Sequence, residues 1–110
     1  MTQTVKRYDP IHPGEILAEE FLEPYGLTAY GLAQELGVDP ARIYKIVEGE
    51  RGITADTALR LGQFFDTSAQ FWLNLQSRYD LQMAERAEGI GESLKHIRSV
   101  KAIDRVRGGP

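Results

Sequence analysis

The sequence predicts an all-α domain of five short helices, followed by a short C-terminal tail that can itself be helical. Three observations carry this. No segment keeps a two-residue alternation of apolar and polar side chains for long. Apolar residues instead recur at three- and four-residue spacing. Proline, threonine and glycine punctuate these stripes where helix starts and stops belong. The boundaries that follow are an N-terminal arm at residues 1–12, a helical domain at 13–87 and a tail at 88–110.

Pro13 suits a first helical position, and Glu15 follows where the helix dipole favours an acid. His12, beside Pro13, is placed to cap this first helix. Ile16, Leu17, Phe21 and Leu22 mark its apolar stripe, and Pro24 and Gly26 are expected to stop it. Thr28 is the N-cap of a second helix with Leu32, Ala33 and Leu36 inward, ended by Gly37. Asp39 caps a third, with Pro40 in its first turn and Ile43, Ile46 and Val47 on one side; Gly49 and Gly52 close it. Thr54 caps a fourth, with Asp56 in its first turn and Leu59, Leu61 and Phe65 apolar. Thr67 with Gln70 forms a capping-box pattern for a fifth, which carries Phe71, Trp72, Leu75 and Tyr79 and runs to about Ala87, before Gly89 and Gly91. In the tail, Leu94, Ile97 and Val100 fall three apart among Lys95, Arg98 and Lys101. That pattern fits a surface-docked helix or a segment that orders on a partner.

Composition narrows the function classes. The chain has 110 residues and no cysteine, which excludes disulfides, thiol nucleophiles and cysteine-ligated zinc. No apolar run approaches the roughly 18 residues of a membrane span, and the N-terminus lacks the apolar core of a signal peptide. The reading is a soluble, cytoplasmic protein with no membrane role. His12 and His96 are the only imidazoles. Glu19 and Glu20 diverge by about 100° on a helix of 3.6 residues per turn. With no glycine-rich phosphate loop, zinc spacing or nucleophile triad, the chain reads as a non-enzyme that needs no metal and no cofactor. Charge is uneven: residues 1–87 hold 8 basic and 13 acidic side chains, whereas residues 88–110 hold 5 basic and 3 acidic. A negative body of this kind is no general polyanion binder, and any nucleic acid must be held by one local face.

That face is sought between Ala29 and Glu48. Two helices joined by a tight turn cross closely, so the crossing residue must be small, which Ala33 is. The turn needs a positive φ, which Gly37 adopts without strain. Ile43 then reaches back between the helices, and Leu32, Leu36, Val38 and Ile46 complete the packing. This is the spacing of a helix-turn-helix, whose second helix enters the DNA major groove by its N-terminal end. With Ile43, Ile46 and Val47 inward, Ala41, Tyr44 and Lys45 face outward and Arg42 lies at the flank. Arg42 or Lys45 suits guanine O6 and N7, Ala41 a thymine methyl, and Tyr44 a phosphate or sugar edge. Arg51 and Thr28, with the amides that open the second helix, suit backbone phosphate. Glu48 and Glu50 sit near the groove rim, where they repel phosphate and are expected to suppress non-specific binding. Glu48 is also three residues from Lys45, within reach of an ion pair. One recognition helix contacts too few bases for an operator, so a homodimer across half-sites about 34 Å apart is expected. Leu73, Leu81, Leu94 and Ile97 are the expected dimer or partner surface. Trp72 and Tyr79 are expected to pack in the core, and Asn74 and Gln76 fit either a buried specificity role or a solvated or dimer-facing one.

With those residues in view, the chain resembles the HigA/VapI branch of the Xre/Cro-type helix-turn-helix proteins. The resemblance covers about His12 to Ala84 and rests on HPGEIL, on ITADTALRL at 53–61 and on FWLNLQSRYDL at 71–81. It implies a compact, lambda-repressor-like five-helix fold. It further implies an antitoxin that binds a small RelE-like mRNA-cleaving toxin encoded beside it and represses their shared promoter. The recognition positions carry over as Asp39, Pro40, Ala41, Arg42, Tyr44 and Lys45. Pro40 departs from the polar residue of many relatives, and so do the acids at Glu48 and Glu50. The alternative within the same fold is a stand-alone repressor with no toxin partner.

Overall fold

The computed structural model describes residues 9–103. Among these the chain is entirely helical. The first eight residues of the expected arm and the last seven residues of the tail lie outside the described part.

Helix α1 is a single rod built of Pro13–Ile16, a π-helical stretch Leu17–Leu22, and Glu23–Tyr25. His12 caps it: its Nδ1 accepts the Gly14 N–H at 2.9 Å. Pro24 does not end this helix, contrary to its usual effect. The wider π coil, in which the Glu23 N–H reaches back to the Ala18 carbonyl, accommodates a ring that offers no N–H. Gly26, left-handed at φ 66°, is the actual stop.

Helices α2 (Ala29–Leu36) and α3 (Pro40–Val47) follow, then α4 (Ala55–Phe65) and α5 (Ala69–Arg86). Thr28, Asp39 and Thr54 cap α2, α3 and α4 as the sequence predicts. The cap of α5 lies one residue later than expected. Ser68 Oγ takes the Phe71 N–H at 3.0 Å, while Thr67 Oγ1 accepts the Trp72 indole N–H at 2.8 Å. Gln70 bonds Asn74 instead of closing a capping box. The reason is tertiary: a buried indole N–H must find an acceptor, and Thr67 is within its reach.

One core holds the five helices together. Leu17, Leu32, Ala33, Ile43, Ile46, Ala58, Leu61 and Trp72 have no exposed surface. Each large apolar side chain buried in this way contributes roughly 1.5–3 kcal/mol relative to exposure. Phe21 lies 4.9 Å from Phe65 and 4.8 Å from Trp72, ring centre to ring centre, and so closes the far side. At Gly14, α1 passes so close to α3 that an added Cβ would sit 1.8 Å from the Ile46 carbonyl oxygen. This contact sets how α3 is seated. Two apolar positions differ from a simple stripe. Leu59 is 64% exposed, and Leu73, expected on a dimer surface, packs half-buried against the chain's own core.

Beyond α5 the chain turns at Gly89 (φ 86°) into a short α6 (Ile90–Lys95) and ends its described part in a 3-10 turn, Val100–Ile103. Among the described residues no helix is long and apolar enough to cross a membrane.

Candidate nucleic-acid interface

The interface is assembled from α2, α3 and the loop that follows. Gly37 takes φ 71°, and the Val38 N–H bonds the Ala33 carbonyl at 3.0 Å, closing α2 and reversing the chain within three residues. Ala33 and Ile43 are fully buried at the crossing, as their spacing requires. This locks α3 with one face inward, and Ala41, Tyr44, Lys45 and Glu48 are exposed on the other. Tyr44 keeps 46% of its surface in solvent. Asp39 Oδ1 accepts the Ala41 N–H at 2.9 Å, so its carboxylate is held at the tip of α3 as a cap. The expected ion pair between Lys45 and Glu48 does not form among the described residues.

Arg42 is placed differently from its neighbours. Its Nη1 donates to Asp56 Oδ2 at 2.6 Å and to Thr57 Oγ1 at 3.2 Å, which ties α3 to the start of α4. Arg60 donates to the same Asp56 oxygen at 3.0 Å and to the Leu36 carbonyl at 2.8 Å, capping the end of α2. One carboxylate thus joins all three helices around the turn. The Arg42 guanidinium, then Arg60, hold the Asp56 carboxyl below the usual carboxylate range. In this arrangement Arg42 fixes the recognition helix and does not stand free in front of it. Its partner lies in another helix, which helical periodicity alone cannot reveal.

The loop after α3 is pinned from two sides. The Lys45 carbonyl takes the N–H groups of Glu50 and Arg51 at 2.8 and 3.2 Å. From α5, Gln76 Oε1 accepts the Ile53 N–H at 2.7 Å, and its amide donates to Asp80 at 2.9 Å. A Cβ at Gly52 would lie 2.9 Å from the Gln76 amide, so a larger residue there would shift the side chain that pins the loop. From the start of α1, the His12 ring comes up beside this loop: a Cβ at Gly49 would lie 3.8 Å from it. Its Nδ1 accepts from Gly14, so in the neutral ring the proton sits on Nε2. Burial pulls the His12 pKa down, against the opposing pull of Asp80, Glu15 and the Arg51 backbone. The Arg51 side chain itself remains exposed. At the start of α2, Thr28 Oγ1 accepts the Gly31 N–H at 2.9 Å. Beside it Gln34 donates to the Tyr30 hydroxyl at 3.2 Å. Tyr30, Gln34, Arg60, the pairing of Asp56 with the two arginines and the second role of His12 were not singled out by sequence. Among the described residues no group of His, Asp and Glu is arranged to hold a metal ion.

Fold and face together define a helix-turn-helix protein, and a helix-turn-helix family model matches residues 19–72. Virulence-associated protein I of Dichelobacter nodosus is 62% identical over 76 residues, covering 69% of this chain and 70% of that protein. An uncharacterized HTH-type transcriptional regulator of Haemophilus influenzae is 43% identical over 89 residues, covering 81% and 83%. Among solved structures, the Pseudomonas aeruginosa antitoxin HigA with the higBA promoter superposes with a TM-score of 0.75 at 49% identity, covering 82% of this chain and 96% of that one. The chain belongs to the HigA/VapI branch of the Xre-type helix-turn-helix family, a family of non-enzymatic DNA-binding proteins.

Proposed function

We propose that this protein is the antitoxin of a type II toxin–antitoxin module. As a cytoplasmic homodimer it binds operator DNA, places α3 in the major groove and represses its own operon. It also neutralises a RelE-like mRNA-cleaving toxin. The domain at 13–87 carries the DNA face, and the arm and tail are its variable flanks. The observation that carries the DNA reading is the exposed α3 face, with Tyr44 and Lys45 held outward beside Arg51 by a turn packed through Ala33, Gly37 and Ile43. In this reading Lys45 and Tyr44 meet base edges, and Ala41 and Pro40 line the groove. Thr28 and Arg51 meet phosphate, Asp39 keeps the tip of α3 in register, and Arg42 positions the helix through Asp56.

The direct experiment is fluorescence anisotropy on the duplex upstream of the gene. Lys45→Ala is expected to weaken operator binding and relax its selectivity. Arg51→Ala is expected to weaken operator and random duplex alike, and to reduce the salt slope by about 0.9 per phosphate lost. Wild-type-like binding by both variants would end the groove model. The toxin half is tested by co-purification with the adjacent gene product and relief of its translation block. The 43% identity to a protein described only as a transcriptional regulator favours the second reading, a stand-alone repressor. DNA binding without any toxin capture would select that reading.

A further inference from the structure

We infer that the C-terminal tail docks on a second copy of this chain, in the groove between α1 and α5, so that two protomers exchange tails in a twofold dimer. The inference rests on the homodimer reading above and names the surface that makes it.

The tail has no cover of its own. Every described residue at 91–102 is exposed. That includes Leu94, Ile97 and Val100 at 56%, 68% and 61%. Three exposed aliphatic side chains in seven residues are the signature of a contact surface. Lys95, Arg98 and Lys101 alternate with them. A nucleic-acid tail would need the cations but not the aliphatic side chains, whereas a protein groove that is both acidic and apolar uses both.

Such a groove lies where residues 9–11 meet α1 and α5. Asp9, Ile11, Glu15, Ile16, Glu19 and Glu20 line a depression of about 500 Å³. Ile11 is 51% exposed there and Ile16 half-buried. The depression continues along α5 past Leu75, Arg78 and Gln82, so its acidic end is the α1 side. Asp9 pairs with Arg86 at 3.9 Å, whereas Glu15, Glu19 and Glu20 are exposed, and the body's excess of acids over bases gives long-range attraction for a basic segment. The protomer's own tail leaves through the left-handed Gly89 and does not cover this groove. A twofold axis makes each contact twice, tail into groove and groove around tail, which closes the assembly at two.

The test is sedimentation equilibrium of full-length protein without DNA, so that its outcome is independent of operator binding. Three proteins are compared: wild type, a tail reversal (Lys95→Glu, Arg98→Glu, Lys101→Glu) and a groove reversal (Glu15→Lys, Glu19→Lys, Glu20→Lys). Each reversal alone is expected to raise the dimer dissociation constant at least tenfold. Their equimolar mixture is expected to return it to within about threefold of wild type, because the heterodimer pairs reversed tail with reversed groove and native tail with native groove. Recovery on mixing also shows that both variants fold. A monomeric wild type, reversal variants that dimerise normally, or a mixture that stays dissociated would each overturn the inference. Loss of toxin capture with the dimer unchanged would assign the groove to the toxin and overturn it equally.

Discussion

Replacing Gly14 by alanine adds one methyl group, and the structure leaves it nowhere to go. The new Cβ would stand 1.8 Å from the Ile46 carbonyl oxygen, 2.7 Å from its carbon and 3.0 Å from the Val47 Cα. All three neighbours are backbone, so no rotamer change can relieve the clash. Restoring ordinary contact near 3.5 Å needs α1 and α3 to separate by about 1.5 Å or more. That movement loosens the packing of Leu17, Ile43 and Ile46, all fully buried. Overpacking of this kind costs about 1–3 kcal/mol, and strain on the His12 cap adds about 1 kcal/mol more. A total near 3 kcal/mol lowers the melting temperature of a domain this size by roughly 10–20 °C. The assay is thermal and urea unfolding followed by far-ultraviolet circular dichroism. Gly91→Ala is the control. It lies in α6 with nothing within 4 Å of its added Cβ, and the change is expected to be neutral or slightly stabilising. If Gly14→Ala melts within about 3 °C of wild type, the close approach of α1 does not seat α3.

Three further outcomes are expected. Thr67→Val leaves the Trp72 indole N–H without its acceptor and should cost about 1–3 kcal/mol in urea unfolding, whereas Ser68→Ala should cost about 1 kcal/mol as the loss of a helix cap. Because the folded pKa of His12 is lowered by burial, the unfolded chain takes up the proton first as pH falls. The contribution of His12 is therefore complete above its ordinary value near 6.5 and lost as pH falls from there through the folded pKa. His12→Asn keeps an acceptor for Gly14 but does not titrate. Melting curves between pH 7.5 and 5 should therefore be flatter for this variant than for wild type, and parallel curves would refute the assignment. Glu48→Gln should raise affinity for random duplex in anisotropy titrations, since it removes a charge that repels phosphate at the groove rim. An unchanged value would mean that Glu48 does not approach DNA.

What the sequence disclosed, and what it withheld, follows from the range of each interaction. Thr28, Asp39 and Thr54 cap amides two or three residues ahead, so residue type and local pattern identify them. Ala33, Gly37 and Ile43 were legible because a short turn couples sequence spacing directly to geometry. Most of the departures depend on partners distant in sequence. Thr67 fits a cap because Gln70 stands three residues on in a capping-box pattern, and only the fold brings the Trp72 indole to it. Pro24 stays inside α1 because the backbone widens around it, a change that no residue signals locally. Leu73 packs half-buried against its own core, a contact that its hydrophobicity alone does not announce. Gly14 was visible as a residue, but its necessity depends on a carbonyl in a helix two elements later.

Arg42 shows how the same division bears on function. Counting cations along α3 gives two candidates for the groove, yet Asp56 holds one of them against α4. Arg60 is held there too. Lys45 and Arg51 are exposed and form no ion pair among the described residues. A homodimer that engages DNA through this pair on each protomer makes about four cationic phosphate or base contacts, and its log affinity should fall with log salt at a slope near −3.6 if all four displace counterions. A slope of that size is moderate, and it leaves discrimination to shape and to the few base contacts of α3. The net-negative body is then compatible with operator binding because α3 is positioned by internal hydrogen bonds and packing and not by attraction to DNA. A much steeper measured slope would mean that Arg42 leaves Asp56 on the operator and joins the contact surface.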